Sequence, residues 1–197
     1  MKIKILITLI LLFGLLTTGC LTSETKEYKF EFTGKNSGKL TITYRNIMSQ
    51  RDNEEITVKE EVEKDYEELL NKFIYGTSIE EQYPKAKIVS KRLFEDNEQL
   101  CGEVILEFDD ISDVNLYRYD KKAPYMYYIG STEYMGLIIE NFFDSNGDLG
   151  ANNFPVVFWD KKLKNLELTT SITEPTEESI SLLNAWLKDT EYENPKY

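Results

Sequence analysis

The chain has 197 residues and a net charge of −12, with 35 acids against 23 bases. It has no histidine and only two cysteines, which removes Ser-His-Asp and Cys-His catalysis and most zinc sites. Such acidity argues against a nucleic-acid partner, whose phosphates need cations, and against adhesion of the protein surface to anionic lipid; it suits solubility or a cationic partner.

Lys2 and Lys4 open the chain, and an apolar run follows from Ile5 to Leu16, broken only by Thr8 and Gly14. A membrane-spanning helix needs about 20 apolar residues, whereas a signal-peptide core has about 7–15. The run ends in Leu16-Thr17-Thr18-Gly19-Cys20 and turns polar at once. This N-terminus resembles a bacterial lipoprotein signal peptide with its lipobox, although Thr17 stands where the strict pattern has leucine. The resemblance covers residues 1–20 and implies cleavage after Gly19 and acylation (palmitate or its like) of Cys20. Acyl chains add about 0.8 kcal/mol per buried CH₂, so more than one gives stable anchoring. Loss of residues 1–19 removes two lysines and no acid, taking the net charge from −12 to −14. Cys101 then has no partner and reads as a buried thiol in LCGEVILEF; a Cys20–Cys101 disulfide is the exclusive alternative.

Residues 20–27 are expected to be a lipidated tether, 28–192 one domain and 193–197 a tail. Tyr28, Phe30 and Phe32 alternate with charges, Asn36-Ser37-Gly38 supplies a turn, and Leu40, Ile42 and Tyr44 alternate again, which predicts a hairpin. Val58, Val62, Tyr66, Leu69, Leu70, Phe73 and Ile74 form one stripe of a helix over 58–75, with Gly76 suited to C′. Glu60, Glu61, Glu63, Lys64, Glu67, Glu68 and Lys72 fall on its other face, which reads as solvated. Ser78 to Glu81 matches a capping box for one short turn. Strands are expected over 86–94 and 100–108, then a short helix capped by Asp110 or Ser112. Residues 125–130 and 135–140 read as a strand pair, PVVFW and LKNLELTTSI as two more strands. A last helix starts at Thr173 with Pro175 and turns Ile180, Leu183, Trp186 and Leu187 to the core. The order predicts an α+β fold: a mainly antiparallel sheet with two main helices packed on one face, a two-layer sandwich.

Six tyrosines, Tyr117, Tyr119, Tyr125, Tyr127, Tyr128 and Tyr134, lie within an 18-residue span. Tyrosine offers flat apolar area with a polar tip, which suits a ligand or partner surface; it fits a half-buried strand as well, and packing is the alternative reading of the cluster. In a strand, Tyr125 and Tyr127 share one face and Met126 and Tyr128 the other. Alanine at Tyr125 and Tyr127 is expected to weaken binding and leave folding intact. Asp144, Asn146 and Asp148 have the spacing of oxygen ligands for calcium, but Leu149 and Pro155 stand where an EF-hand loop needs glycine and an acid. Asn146-Gly147 reads equally as a tight turn in which both residues tolerate positive φ. Asp109, Asp110 and Asp113 form a carboxylate group of the kind glycoside hydrolysis uses.

No catalytic constellation emerges. The first expectation is a lipid-anchored envelope protein facing the periplasm or cell surface. It is held to the membrane through Cys20, without a cofactor, and acts as a non-enzymatic module for an unknown protein or small ligand. The alternative is a carboxylate- or calcium-dependent hydrolase of envelope material. A structural spacer is the third.

Overall fold

A computed structural model describes residues 21–51, 55–129, 140–151 and 154–193. Cys20, Tyr134 and all but the last residue of the strand expected over 135–140 lie outside the described residues. β1 (Leu21–Phe32) and β2 (Gly38–Gln50) form a hairpin in one continuous register, Phe32 opposite Gly38 and Leu21 opposite Ser49. Residues 21–27, expected as a tether, are thus the first seven residues of β1. Their polar composition hid a strand whose order comes from pairing: the segment runs beside β2, and Thr25, Lys26 and Glu27 pair with β10 (Asn165–Ser171) as well.

β3 (Lys87–Asp96) and β4 (Gln99–Phe108) make a second hairpin whose turn residues Asn97 and Glu98 have φ of 51° and 62°. Two consecutive left-handed residues give the turn type whose twist matches the strands. The large sheet runs β3-β4-β2-β1-β10-β7, with β7 at Asn141–Ser145 and β11 (Ser179–Ser181) pairing the far end of β2. A second sheet runs β5-β6-β9-β8, from Leu116–Tyr117, Tyr125–Tyr128, Phe154–Trp159 and Asp148–Gly150. All strand pairs are antiparallel.

This corrects the expected two-layer α+β sandwich. Strands take 48% and helices 23% of the described residues, in two sheets and three helices, one of them short. The inward face of the large sheet, with Tyr28, Phe30, Leu40, Ile42, Val104, Leu106, Leu166 and Leu168, packs mainly on Leu116, Tyr125, Tyr127, Val157 and Trp159 of the small sheet. Phe32 stacks on Tyr125 with centroids 4.8 Å apart, and Phe30 lies 5.8 Å from Tyr127 and 6.4 Å from Trp159. Full burial of one such side chain contributes about 1.5–3 kcal/mol. An alternating strand needs a cover for its apolar face, and a second sheet serves as well as a helix, so period-2 patterning does not distinguish the two.

The helices cover one end of the sheet. α1 (Val58–Glu68) starts at a capping box between Thr57 and Glu60 and passes into a wider π-type turn over Leu69–Ile74. α2 (Ser78–Gln82) has Thr77 as its N-cap residue, without the capping box expected from Ser78. α3 (Leu183–Glu193) begins later than expected, because Ile180 lies in β11 and pairs with Ser49. Tyr66, Leu69 and Leu182 meet Ile47 and Leu100 in a second cluster. Ile47 faces inward because Asn46, at φ 51°, shifts the alternation of β2 after Tyr44. It lies over Gly102, where a Cβ would stand 3.1 Å from its Cδ1. The helical stripe forms only in part: Tyr66 and Leu69 are buried, Val62, Leu70, Phe73 and Ile74 are half-buried, and Val58 is exposed, while Glu61, expected on the solvated face, is buried together with Asp65. Asp65 accepts a 2.6 Å hydrogen bond from Ser49, and burial raises its pKa above the ordinary value of 3.8.

Candidate functional site

The tyrosine-rich segment divides by strand parity. Tyr125 and Tyr127 point inward and are 4% and 8% exposed. Neither can meet a partner, which corrects their assignment to the contact surface. Tyr117, Tyr128 and Tyr119 are 57%, 59% and 80% exposed. Tyr134 lies outside the described residues.

The outward residues form a face with a regular grid. Tyr117 stands opposite Met126, Met126 opposite Phe158 and Phe158 opposite Asp148, one row across four strands. Tyr128 opposite Val156 makes the next row, and Phe154 follows on the same side of β9. Directly opposed residues are about 4.5–5.5 Å apart at Cβ, so the side chains touch. Phe154 is also more than half exposed. An apolar patch of several residues on a sheet face is unusual for a monomer and marks interaction sites. The sequence reading placed Met126 and Tyr128 together but missed Phe154, Val156 and Phe158. The alternation of FPVVFW held that signal, with Val157 and Trp159 as its inward members.

Behind the small sheet lies a buried polar cluster that sequence reading missed. Lys26 occupies an inward position of β1, two residues before Tyr28, and is almost fully buried. Its Nζ is 3.0 Å from Glu140 Oε1 and lies over the rings of Tyr28 and Tyr44 at 4.9 and 5.3 Å. Glu140 also accepts from the Tyr28 hydroxyl at 2.8 Å and from Thr170 Oγ1 at 3.0 Å. Burial alone would lower the Lys26 pKa; Tyr44 and Glu140 beside it more than reverse this, and it stands above the ordinary lysine value. Burial pushes Tyr28, Tyr83 and Tyr127 upward, the last two linked by a hydrogen bond. Lys26 thus stays an ammonium and Tyr28, Tyr83 and Tyr127 stay neutral phenols at physiological pH.

The acids named for metal or hydrolysis do not converge. β7 and β8 belong to different sheets, so Asp144-Ser-Asn-Gly-Asp148 is the corner between them. Asn146 is taken up by the backbone of β10: its Oδ1 accepts from Glu167 N at 2.9 Å and its Nδ2 donates to Asn165 O at 3.1 Å. Gly147 is required by proximity, since a Cβ there would stand 2.5 Å from Trp159 Cδ1. Its backbone does not adopt the positive φ expected of it. Asp113 caps the turn Ile111–Val114 through Asp110 N, and Asp109, Asp144 and Asp148 are exposed on separate elements. Among the described residues no group of three or more potential ligands could hold a metal ion.

The outer face of the large sheet holds an open cleft of about 530 Å³ lined by Glu27, Lys29, Glu31, Thr41, Thr43 and Glu103, among others. Lys29 and Lys39 there are both held by Glu31, at 3.2 and 3.7 Å. Cys101 is a buried free thiol. Among the described residues no helix is long and apolar enough to cross a membrane. No family model, curated protein or solved structure matches the chain.

Proposed function

We propose that the chain is a lipid-anchored protein of the bacterial cell envelope, and that its domain is a non-enzymatic module meeting a partner protein through the outer face of the small sheet. The observation that carries this reading is the outward row Tyr117–Met126–Phe158, with Tyr117 exposed and Met126 and Phe158 half-buried, and exposed Tyr128 and Phe154 beside it. Aromatic residues and methionine are the types enriched at interface centres, where charged residues are depleted. Asp148 is the one charged member of the two paired rows. A partner with an apolar, uncharged face fits this surface.

The anchor half of the proposal is supported by the lipobox-like Leu16–Cys20. β1 begins at Leu21, directly after that cysteine, so an acyl anchor at Cys20 would hold the domain close to the bilayer without a spacer. Two experiments separate the halves. Mass spectrometry of the membrane-extracted protein should find Cys20 as an acylated N-terminal residue, and Cys20→Ser should release the protein from membranes. An unprocessed N-terminus, or a Cys20–Cys101 disulfide, would remove the anchor. Independently, Tyr117→Ala with Tyr128→Ala should abolish partner capture while thermal unfolding stays unchanged. Capture that survives the double change would remove the face.

A further inference from the structure

The net charge of the chain conceals a strong segregation. Three turns lie at the end of the sandwich remote from Leu21. The first is the β1–β2 turn, residues 33–37, with Lys35. The second enters β6, residues 118–124, with Arg118, Lys121 and Lys122. The third leaves β9, residues 160–164, with Lys161, Lys162 and Lys164. The pairing of Tyr125 with Trp159 sets the second and third turns side by side. Phe32 N donates to Lys164 O at 3.0 Å, and Arg118 Nη2 lies 3.5 Å from Asn36 Oδ1, which ties both to the first.

The two adjacent turns repeat one sequence, Asp-Lys-Lys, and one conformation. Asp120 Oδ1 accepts from Lys122 N at 2.6 Å and Ala123 N at 2.8 Å; Asp160 Oδ1 accepts from Lys162 N at 2.8 Å. Each aspartate therefore folds back onto its own backbone and leaves its lysines outside. All six lysines are exposed, and none forms an ion pair among the described residues. Arg118 is held 4.7 Å over the Tyr125 ring and donates to its hydroxyl at 3.1 Å, again with no carboxylate partner. Seven cations against Asp120 and Asp160 give these turns a charge of +5, leaving −17 on the rest of the chain. Asp109, Asp110 and Asp113 flank the first turn, where Asp110 is engaged by Ser112 and Asn36 and faces Lys85, and Asp113 caps Asp110 N. Charges farther off than about 10 Å are largely screened at physiological salt, so a ligand at this end meets the basic turns and not the net charge.

Two apolar tips stand among the lysines, Tyr119 and Leu163, 80% and 38% exposed. Lysines for phosphate headgroups with an exposed tyrosine and leucine in the same turns match the composition of a membrane interface. A soluble polyanion would engage the lysines and give Tyr119 and Leu163 no contact. We infer that this basic end is a docking surface for an anionic phospholipid bilayer. The inference does not depend on acylation of Cys20 or on the outer face of the small sheet; Leu21 and the basic turns lie at opposite ends of β1, so in an acylated chain the basic end would meet a bilayer facing the anchoring one.

The test is co-sedimentation of the full, unacylated chain with vesicles of phosphatidylcholine alone and of equal parts phosphatidylcholine and phosphatidylglycerol, at low and high salt. Lys2→Gln and Lys4→Gln are built into every protein compared, so that the apolar run Ile5–Leu16 sets a baseline without cations of its own. The expected result is at least about tenfold stronger binding to the anionic vesicles at low salt, lost at high salt. Lys121→Glu with Lys161→Glu should erase the anionic increment with unchanged thermal unfolding and an unchanged baseline. Tyr119→Ser with Leu163→Ser should lower it severalfold. Equal binding to both vesicles, or an increment that survives the charge reversal, would overturn the inference. An increment insensitive to Tyr119→Ser and Leu163→Ser, with equally tight binding of soluble polyphosphate, would reassign the surface to a soluble polyanion.

Discussion

Removing one member of the Lys26–Glu140 pair should cost far more than removing both in proportion. Lys26→Met leaves Glu140, whose side chain is 18% exposed, as a carboxylate facing only the Tyr28 and Thr170 hydroxyls. Glu140→Leu leaves an ammonium 10% exposed beneath two tyrosine rings. Breaking a buried pair from one side costs about 3–5 kcal/mol because a charge stays uncompensated. That is a large share of a typical stability of about 5–15 kcal/mol. The double variant keeps no unpaired charge. Its remaining cost is mainly the Tyr28 hydroxyl left without an acceptor, about 1–3 kcal/mol, since Thr170 Oγ1 retains Lys26 O at 3.3 Å. The coupling in a double-mutant cycle is therefore expected to exceed about 2 kcal/mol. Urea unfolding at pH 7, with equal slopes across the four proteins, measures it. If either single variant fails to fold, the double should still fold. Additivity within about 0.5 kcal/mol would refute the reasoning, because distant or solvated charges behave that way.

Burial raises the Asp65 pKa above 3.8, so the fold disfavours its ionised form. The penalty is present above the raised pKa and fades as pH falls toward 3.8. Asp65→Asn should therefore be more stable than the parent at pH 7, with the gap closing in acid; urea midpoints across pH check this, and a gap independent of pH would contradict it. Glu98 sits at φ 62° in the β3–β4 turn. A left-handed residue with a Cβ costs about 1–2 kcal/mol, partly offset by the chain entropy glycine adds. Glu98→Gly should thus stabilise by about 0.5–1 kcal/mol, a rise of a few degrees in a thermal melt. Gly147→Ala should destabilise by about 1–3 kcal/mol as Trp159 is forced aside, read as a lower urea midpoint.

Local elements were legible where one residue pattern had one meaning. The alternation of Tyr28, Phe30 and Phe32, then Leu40, Ile42 and Tyr44, specified a hairpin, and the 58–74 stripe specified a helix. Strand parity also separated Tyr125 and Tyr127 from Met126 and Tyr128. Parity does not say which side is inward; that follows from long-range packing of Tyr125 on Phe32 and Tyr127 on Phe30. The second sheet was hidden for the same reason. So was Lys26: a lysine at an inward position reads as a surface residue until Glu140, far along the chain, supplies its counter-charge. Ile180, Leu183 and Trp186 fit a helical spacing, yet pairing of Ile180 with Ser49 claims the first of them for β11. The basic end escaped composition altogether, because its +5 is outweighed in the sum over the chain.

The central claim is that the outward aromatic face of the small sheet contacts a partner protein. A photo-reactive residue at position 128 of the protein in native membranes tests it most directly. One discrete adduct is expected, lost on Tyr117→Ala and retained when the probe's host carries Lys121→Glu. No adduct at position 128, or a smear of adducts unaffected by Tyr117→Ala, would contradict it.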